Sequence, residues 1–204
     1  MTSLGLAYAV ITSVTRDDLP DGGAAHFAAV IRAIRGKSPG TRVEALVPDF
    51  GGDRAALDAV LAAGPDVLNH NLETTESLYP AIRRPPENYR RSLGVLAAAK
   101  ERGALTKSGL MIGLGETEAD ILRTFADLRQ AGCDLLTVGQ YLRPTKDHPE
   151  VVRYYTPEEF DGFAAAARRL GFREVVSGPL VRSSYEAGRL FDTVQKKDEP
   201  RCAT

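Results

Sequence analysis

Polar residues gather in this sequence at the points where apolar runs end. The run that opens at Val67 turns abruptly polar in Asn69-His70-Asn71-Leu72-Glu73. There two asparagines and an acid, spaced by two, fall on one face of an extended chain. Thr106-Lys107-Ser108 sets a lysine inside an apolar stretch, and lysine is almost never fully buried without a partner. Thr12 and Ser13 close the first apolar run, and Gln140 and Tyr141 close a later one. Asp21-Gly22-Gly23 and Gly113-Leu114-Gly115-Glu116 are glycine-bearing loops that precede helical patterns. Each piece alone has a plainer reading. Asp21-Gly22-Gly23 makes a good turn, Gly113 to Glu116 a strand-to-helix turn with an acid at the helix start, and His70 a satisfied core histidine. The spacing GxGxxG of a dinucleotide loop is absent. The convergence of amides, hydroxyls, carboxylates and an ammonium points to a polar ligand, and the residue types alone do not name a reaction.

These groups need a scaffold that brings strand ends together. Runs rich in β-branched residues predict strands at Ala7–Val14, Arg42–Pro48, Val67–Leu72, Ser108–Gly113, Leu135–Tyr141 and Glu174–Leu180. Most are continuously apolar, as parallel strands covered on both faces are. Between them lie helical periodicities: Phe27, Val30, Ile31 and Ile34; Leu57, Val60 and Leu61; Leu93, Leu96 and Ala97; Ile121, Leu122, Phe125 and Leu128. The helix after Thr156-Pro157-Glu158-Glu159 carries an N-cap, a first-turn proline and a capping-box acid, with Gly171 as its stop. Thr117 with Asp120, and Gly132, bracket the preceding helix in the same way. Strand–helix alternation predicts an α/β domain with parallel strands, barrel-like or doubly wound, whose ligand site lies at the carboxyl ends of the strands. A closed eight-unit barrel takes about 250 residues; roughly five units fit here, so any barrel is partial. A single domain is expected over residues 1–190, with a polar, disordered tail over 191–204.

Composition narrows the function classes. In 204 residues, 26 Lys and Arg face 27 Asp and Glu for a net charge of −1, which gives no bulk electrostatic case for nucleic acid or an anionic membrane. No signal peptide or spanning run is expected, and a cytoplasmic location follows as the default. There are two cysteines, Cys133 and Cys202. Two cannot supply a disulfide framework, a four-thiolate zinc site or the cysteine set of an iron–sulfur cluster.

The chain closely resembles the lipoyl synthases, radical S-adenosylmethionine enzymes that insert two sulfurs into a protein-bound octanoyl chain. The resemblance runs from about Leu4 to Ala187. It is carried by Val10-Ile-Thr-Ser-Val-Thr-Arg-Asp-Asp-Leu-Pro-Asp-Gly-Gly23, Val47-Pro-Asp-Phe50, Asn69-His-Asn-Leu-Glu-Thr74, Thr106-Lys-Ser-Gly-Leu-Met-Ile-Gly-Leu-Gly-Glu-Thr117, Leu136-Thr-Val-Gly-Gln-Tyr-Leu142 and Ser177-Gly-Pro-Leu-Val-Arg-Ser-Ser-Tyr185. It implies a partial (β/α) barrel of the radical S-adenosylmethionine type without its first βα unit. It also implies an S-adenosylmethionine site across the strand ends. Asp21, Gly22 and Gly23 would meet the amino-acid end of that cofactor, and Asn71 and Glu73 would be polar contacts. Gly109, Met111, Gly113 and Glu116 would flank the adenine, with Thr12, Asn69, Lys107 and Gln140 in the same mouth. Ser184, beside Arg182, matches the family's serine ligand to an auxiliary cluster, a hard oxygen donor suited to a cluster that is dismantled.

The resemblance breaks at the cysteines. The family carries two [4Fe-4S] clusters on six ligand cysteines, in two triplets ahead of the first block quoted above, and this sequence has neither triplet. Cys133 reads as a small buried hydrophobe. The expectation is the carboxyl-terminal portion of a lipoyl synthase, acting on octanoylated carrier domains such as the glycine-cleavage H protein and 2-oxoacid dehydrogenase E2 subunits, and inactive alone. A separate amino-terminal piece is a possible partner. The alternative is a non-catalytic S-adenosylmethionine-binding or interaction module derived from such an enzyme.

Overall fold

The structure, a computed structural model, describes residues 5–198. Six parallel strands, β1 (Tyr8–Thr12), β2 (Arg42–Leu46), β3 (Val67–Asn69), β4 (Thr106–Ile112), β5 (Leu135–Gln140) and β6 (Glu174–Gly178), lie in the order β1-β2-β3-β4-β5-β6. Helices α1 (Ala24–Lys37), α2 (Arg54–Leu61), α3 (Glu87–Glu101), α4 (Glu118–Gln130) and α5 (Pro157–Arg169) connect them, and α6 (Ala187–Asp198) follows β6.

Sequential order without reversal is the winding of a barrel wall, and it excludes the doubly wound alternative, whose strand order turns back at a switch point. Residue parity shows the same thing. Val43, Ala45 and Leu68 pack under α1 to α3, and Leu110, Ile112, Leu136, Val138 and Val175 pack under α3 to α5, so one face of the sheet carries all five connecting helices. The opposite, concave face carries Tyr8, Glu44, Val67, Asn69, Lys107, Leu135 and Thr137. Among the described residues β1 pairs only with β2 and β6 only with β5, so the sheet is open: a partial (β/α) barrel.

The caps read from the sequence form as expected. Thr117 and Asp120, and Thr156 and Glu159, close reciprocal capping boxes, the second with Pro157 in the first turn. Each satisfies two backbone donors that a helix start otherwise leaves bare.

The carboxyl-terminal boundary differs from expectation. Residues from 191 onward were expected as a polar tail, yet α6 continues to Asp198. Its Leu190, Phe191 and Val194 are buried against Val67 and Leu135 on the concave face. The spacing of these three apolar residues, i, i+1 and i+4, is a helical stripe hidden in a polar composition. Cys202 and the rest of that expected tail lie outside the described residues.

Candidate functional site

The concave face is built in layers. At the amino ends of the strands, α6 seals the lumen with Leu190, Phe191 and Val194. Above that seal sits a polar layer spanning four strands. Lys107 Nζ donates to Glu44 Oε1 at 2.9 Å and to Oε2 at 3.1 Å. The Tyr8 hydroxyl donates to Oε2 at 2.7 Å, and Asn69 Nδ2 donates to Oε1 at 2.7 Å. Glu44, Lys107 and Asn69 are fully buried. Burial, and then the Glu44 charge, push the Tyr8 hydroxyl pKa well above its ordinary value. Lys107, expected to face a ligand in the mouth, is instead the ion-pair partner of Glu44 beneath it. Lying second in β4, it points inward too early along the strand to reach the rim. Asn69 sits in the same layer, so neither residue lines the cavity above.

At the carboxyl ends of β1 to β3 the lumen opens into a cavity of about 650 Å³. Thr12, Ser13, Asp49, Asn71, Glu73, Arg84 and Arg91 are among the residues around it. A smaller cavity of about 170 Å³ continues across β4 and β5, lined by Asn71, Glu73, Gly109, Met111, Thr137 and Gly139. Asn71 and Glu73 line both. The Asn71 Oδ1 atom is buried without a hydrogen-bond partner. It lies over Gly109, where a Cβ would come within 2.7 Å of it.

Glu73 holds a left-handed backbone, φ 73°. Such strain costs on the order of 1–3 kcal/mol and persists where the surroundings over-determine it. Here they do: the Glu73 N–H donates to the Gly109 carbonyl at 3.2 Å, and its own carbonyl accepts from Met111 N–H at 2.7 Å. The pinned backbone aims the carboxylate at the junction of the two cavities, with Arg84 3.9 Å away. Burial raises the Glu73 pKa, and the Arg84 charge opposes the rise. His70 borders the larger cavity with both ring nitrogens engaged, at Val47 O (2.8 Å) and Ser92 Oγ (2.9 Å). It is the satisfied core histidine expected, and burial lowers its pKa.

Other expected site residues serve the scaffold. Asp21 accepts from Gly23 N–H at 2.9 Å and Ala25 N–H at 2.8 Å, so its carboxylate caps the start of α1. Gly22 packs where a Cβ would lie 3.0 Å from Phe50. The loop from Asp21 to Gly23 lines neither of these two cavities. Glu116 accepts from Gly113 N–H (2.6 Å), Leu114 N–H (3.0 Å) and the Tyr155 hydroxyl (3.0 Å), which ties the turn after β4. Gln140 points to the helix-covered face. Its amide donates to the Tyr141 and Arg153 carbonyls and accepts from Tyr155 N–H, and it fills the space a Cβ on Gly113 would take. The alternation along β5 explains this: Thr137 and Gly139 face the lumen, so Gln140 cannot. Ser184 is exposed in the turn before α6, where its carbonyl accepts from Ala187 N–H at 3.4 Å. Its neighbours Arg182 and Ser183 reach the smaller cavity.

Sequence reasoning missed Arg84, Arg91 and Thr137 as lining residues, and Glu44 as the partner of Lys107. The acid inside Val43-Glu44-Ala45 was a readable counterpart to the buried lysine. Arg84 comes from a long segment between β3 and α3 whose path no periodicity encodes, and Arg91 from the first half of α3.

The cofactor implied by the resemblance can be tested against these groups. S-adenosylmethionine presents ribose hydroxyl and ammonium donors, and the orphaned Asn71 oxygen and the Glu73 carboxylate are matching acceptors. The lumen faces of Gly109 and Gly139 are taken by the Asn71 oxygen and the Val181 carbonyl, so Met111 and Thr137 are the groups left at that wall to meet its flat adenine. The cavity size suits a ligand of this class. The residues fit. An iron–sulfur cluster does not fit the same way. Cys133 is fully buried, donates to the Leu135 carbonyl, and has a pKa that burial pushes up to about 12. No group of three or more His, Cys, Asp or Glu side chains among the described residues is arranged to hold a metal.

Comparison with known proteins agrees with this geometry. A family model described as the radical SAM superfamily matches residues 1–128. The lipoyl synthase of Rubrobacter xylanophilus is 59% identical over 186 residues, covering 90% of this chain and 58% of that protein. Those of Thermus thermophilus and Caldicellulosiruptor bescii are 58% and 52% identical, covering 92% and 95% of this chain and 59% and 67% of those proteins. The chain thus spans about three fifths of the length of the first two relatives. Among solved structures, a radical S-adenosylmethionine methyltransferase from Kitasatospora setae aligns with a TM-score of 0.58 at 13% identity, over 96% of this chain and 52% of that one. Methylornithine synthase aligns at 0.56 and 14%, over 95% and 66%. These two share the fold. With more than half of its aligned residues identical to those of lipoyl synthases, and with the open parallel barrel of the superfamily, this chain belongs to the lipoyl synthase family of radical S-adenosylmethionine enzymes.

Proposed function

We propose that this chain forms the S-adenosylmethionine-binding body of a lipoyl synthase, which inserts two sulfurs into the octanoyl-lysine of a lipoyl carrier domain. One observation carries the reading. The unpartnered Asn71 oxygen and the Glu73 carboxylate converge where two strand-end cavities meet, in a chain whose relatives are lipoyl synthases. Asn71 and Glu73 would accept hydrogen bonds from the ribose or ammonium of the cofactor, Met111 and Thr137 would lie against its adenine, and Arg84 or Arg91 would meet its carboxylate. When bound beside an iron–sulfur cluster, the cofactor supplies the homolytic chemistry that opens unactivated C–H bonds to sulfur. The protein's part is positioning: the Glu44–Lys107 layer and α6 close the lumen below the site.

The cluster cysteines have no counterpart among Cys133 and Cys202, so polypeptide beyond these residues would supply two [4Fe-4S] clusters, with Ser184 offering one oxygen ligand. On this reading the 204 residues bind the cofactor but do not lipoylate by themselves. Calorimetry with S-adenosylhomocysteine tests the first half, and absence of binding would overturn it. Incubation with iron, sulfide, a reductant, S-adenosylmethionine and an octanoyl-lysine peptide tests the second. Lipoyl product above a no-protein control would show that the chain is catalytic alone. The carrier domains of the H protein and of 2-oxoacid dehydrogenase E2 subunits are the proposed partners.

A further inference from the structure

Arg91 stands in the wall between two cavities. On one side is the large strand-end cavity. On the other, between α2 and α3, lies a cavity of about 210 Å³ bordered by Leu57, Val95 and Ala98. Asp49 borders both as well. An arginine side chain is long and rich in rotamers. With space on both sides, it stays aimed at the larger cavity only if something holds it there.

The turn after β2 builds that hold. Asp49 Oδ2 accepts from Arg91 Nη1 at 3.3 Å, while Asp49 Oδ1 accepts from Gly51 N–H at 3.0 Å. One oxygen fixes the carboxylate to its own turn and leaves the other for the arginine. Phe50, Gly51 and Gly52 hold φ 51°, 62° and 84° in succession. Glycine enters that region freely, but a phenylalanine does so only where its surroundings over-determine it. Here the Phe50 ring is buried, edge-on to Phe27 at 6.5 Å, and fills the space over Gly22. The Arg91 stem lies along bare Gly52, where a Cβ would stand 3.6 Å from the arginine Cγ. From the other side, the His70 bonds to Ser92 and to the Val47 carbonyl hold this part of α3 against the ends of β2 and β3. Asp49 engages a single N–H of the guanidinium, which carries several more, and no other carboxylate among the described residues meets it.

We propose that Asp49 is a positioning residue: it holds the Arg91 guanidinium toward the larger cavity, so that Arg91 and not Arg84 receives the carboxylate at the amino-acid end of the cofactor. The inference rests on the cofactor reading above. Arg84, 3.9 Å from Glu73, bears instead on the charge of that carboxylate. A guanidinium oriented by one anion keeps planar donors for a second, a bidentate match to a carboxylate that an ammonium does not give.

The test uses the full chain and two ligands titrated by calorimetry: S-adenosylhomocysteine, and its decarboxylated analogue, which keeps the adenosine, the sulfur and the amine. The wild type is expected to prefer the carboxylate ligand about tenfold. Arg91→Ala should erase that preference. Asp49→Asn retains an acceptor for Gly51 N–H but turns an NH2 toward Arg91, and it should lower the preference to about threefold, the scale of a half-exposed ion pair. The analogue measures whether the site is intact in each variant. If Asp49 only neutralised Arg91, Asp49→Asn would strengthen S-adenosylhomocysteine binding, and that result would overturn the proposal. So would an unchanged preference, or an equal loss for both ligands, which would confine Asp49 to shaping its turn. Arg84→Ala should weaken both ligands alike through Glu73. A preference that is lost in Arg84→Ala and kept in Arg91→Ala would make Arg84 the anchor and overturn the proposal. If the wild type binds both ligands equally, this inference fails and the cofactor reading stands; if it binds neither, the cofactor reading fails.

Discussion

The Asn71 side-chain oxygen rests on the bare backbone of Gly109, so close that a methyl group there would stand 2.7 Å from it and 3.1 Å from the Thr137 hydroxyl. The contact joins β4 to the turn after β3 and aims an unpaired acceptor into the cavity. Gly109→Ala is therefore expected to swing Asn71 off its position and to weaken S-adenosylhomocysteine binding about tenfold, the value of one lost hydrogen bond in a desolvated site. Asn71→Ala should cost about the same, and the double variant little more, because both changes remove one interaction. Calorimetry on the three variants decides. Additive losses would mean that the two residues act separately.

The Glu44–Lys107 pair predicts a different signature. Lys107→Met leaves a buried carboxylate without its cation, and breaking such a pair costs about 3–5 kcal/mol. Tyr8 and Asn69 still donate to Glu44 and hold part of the structure together. Adding Glu44→Gln to Lys107→Met should restore most of the stability, since the neutral amide oxygen still accepts from Asn69 and the amide NH2 can donate to the Tyr8 hydroxyl oxygen. Guanidinium unfolding of the single and double variants measures the recovery. A double variant as unstable as Lys107→Met would show that packing, and not the uncompensated charge, dominates.

These two sites show what the sequence made legible. All six strands and the five connecting helices follow from apolar runs, periodicity and the Thr117 and Thr156 caps, because those signals are local. The inward parity of Asn69 and Asn71 follows from a spacing of two. Whether an inward polar residue meets ligand or protein depends on its height in the barrel, which sequence spacing does not encode. Lys107 and Asn71 both point inward, yet one lies beneath the cavity and the other at its wall. Gln140 points outward because Leu135, Thr137 and Gly139 take the inward positions of β5. The seal by α6 was masked because its polar face outweighs three buried residues in composition.

Glu73 titrates above the ordinary carboxylate value of ~4.3, since burial disfavours its charge. A carboxylate whose pKa is raised by folding favours the folded state most below ~4.3, and that contribution is lost as pH rises through the folded value. Ligand binding runs the opposite way, because donors on the ligand need the ionised acceptor. S-adenosylhomocysteine affinity should thus fall as pH drops through a midpoint above ~4.3, and Glu73→Gln should remove that transition while slightly stabilising the free protein at neutral pH. Calorimetry across pH, paired with thermal midpoints, checks both signs. A Glu73→Gln protein that keeps the wild-type pH profile would place the titration on another group.

His70 gives the mirror case. Burial lowers its pKa while Val47 and Ser92 engage both nitrogens. A histidine with a depressed folded pKa contributes its full stability above the unfolded value of ~6.5, and loses it as pH falls below that toward the folded value. Unfolding free energy should decline over that interval, and the decline should be smaller in His70→Gln, which also loses about 1–3 kcal/mol from imperfectly satisfied partners. A parallel decline in both proteins would assign the acid sensitivity elsewhere.

Helix α6 links the floor of the barrel to the turn that carries Ser184. Phe191 is buried against the concave face, with the Tyr8 ring centroid 5.9 Å away and the Arg42 guanidinium 5.6 Å from its own centroid. Two residues, Tyr185 and Glu186, separate Ser184 from Ala187, the first residue of the helix, and the turn is held by Tyr185 N–H to Arg182 O at 2.9 Å. Phe191→Ala should cost about 3–5 kcal/mol, as a buried aromatic does. It should also raise hydrogen exchange across residues 182–186, since the turn then loses its anchor on one side. Phe191→Leu, which keeps most of the apolar volume, should cost less and leave exchange near the wild-type rate. If Phe191→Ala lowers stability without loosening residues 182–186, the bond from Arg182 to the Gln140 carbonyl, and not α6, fixes the position of Ser184.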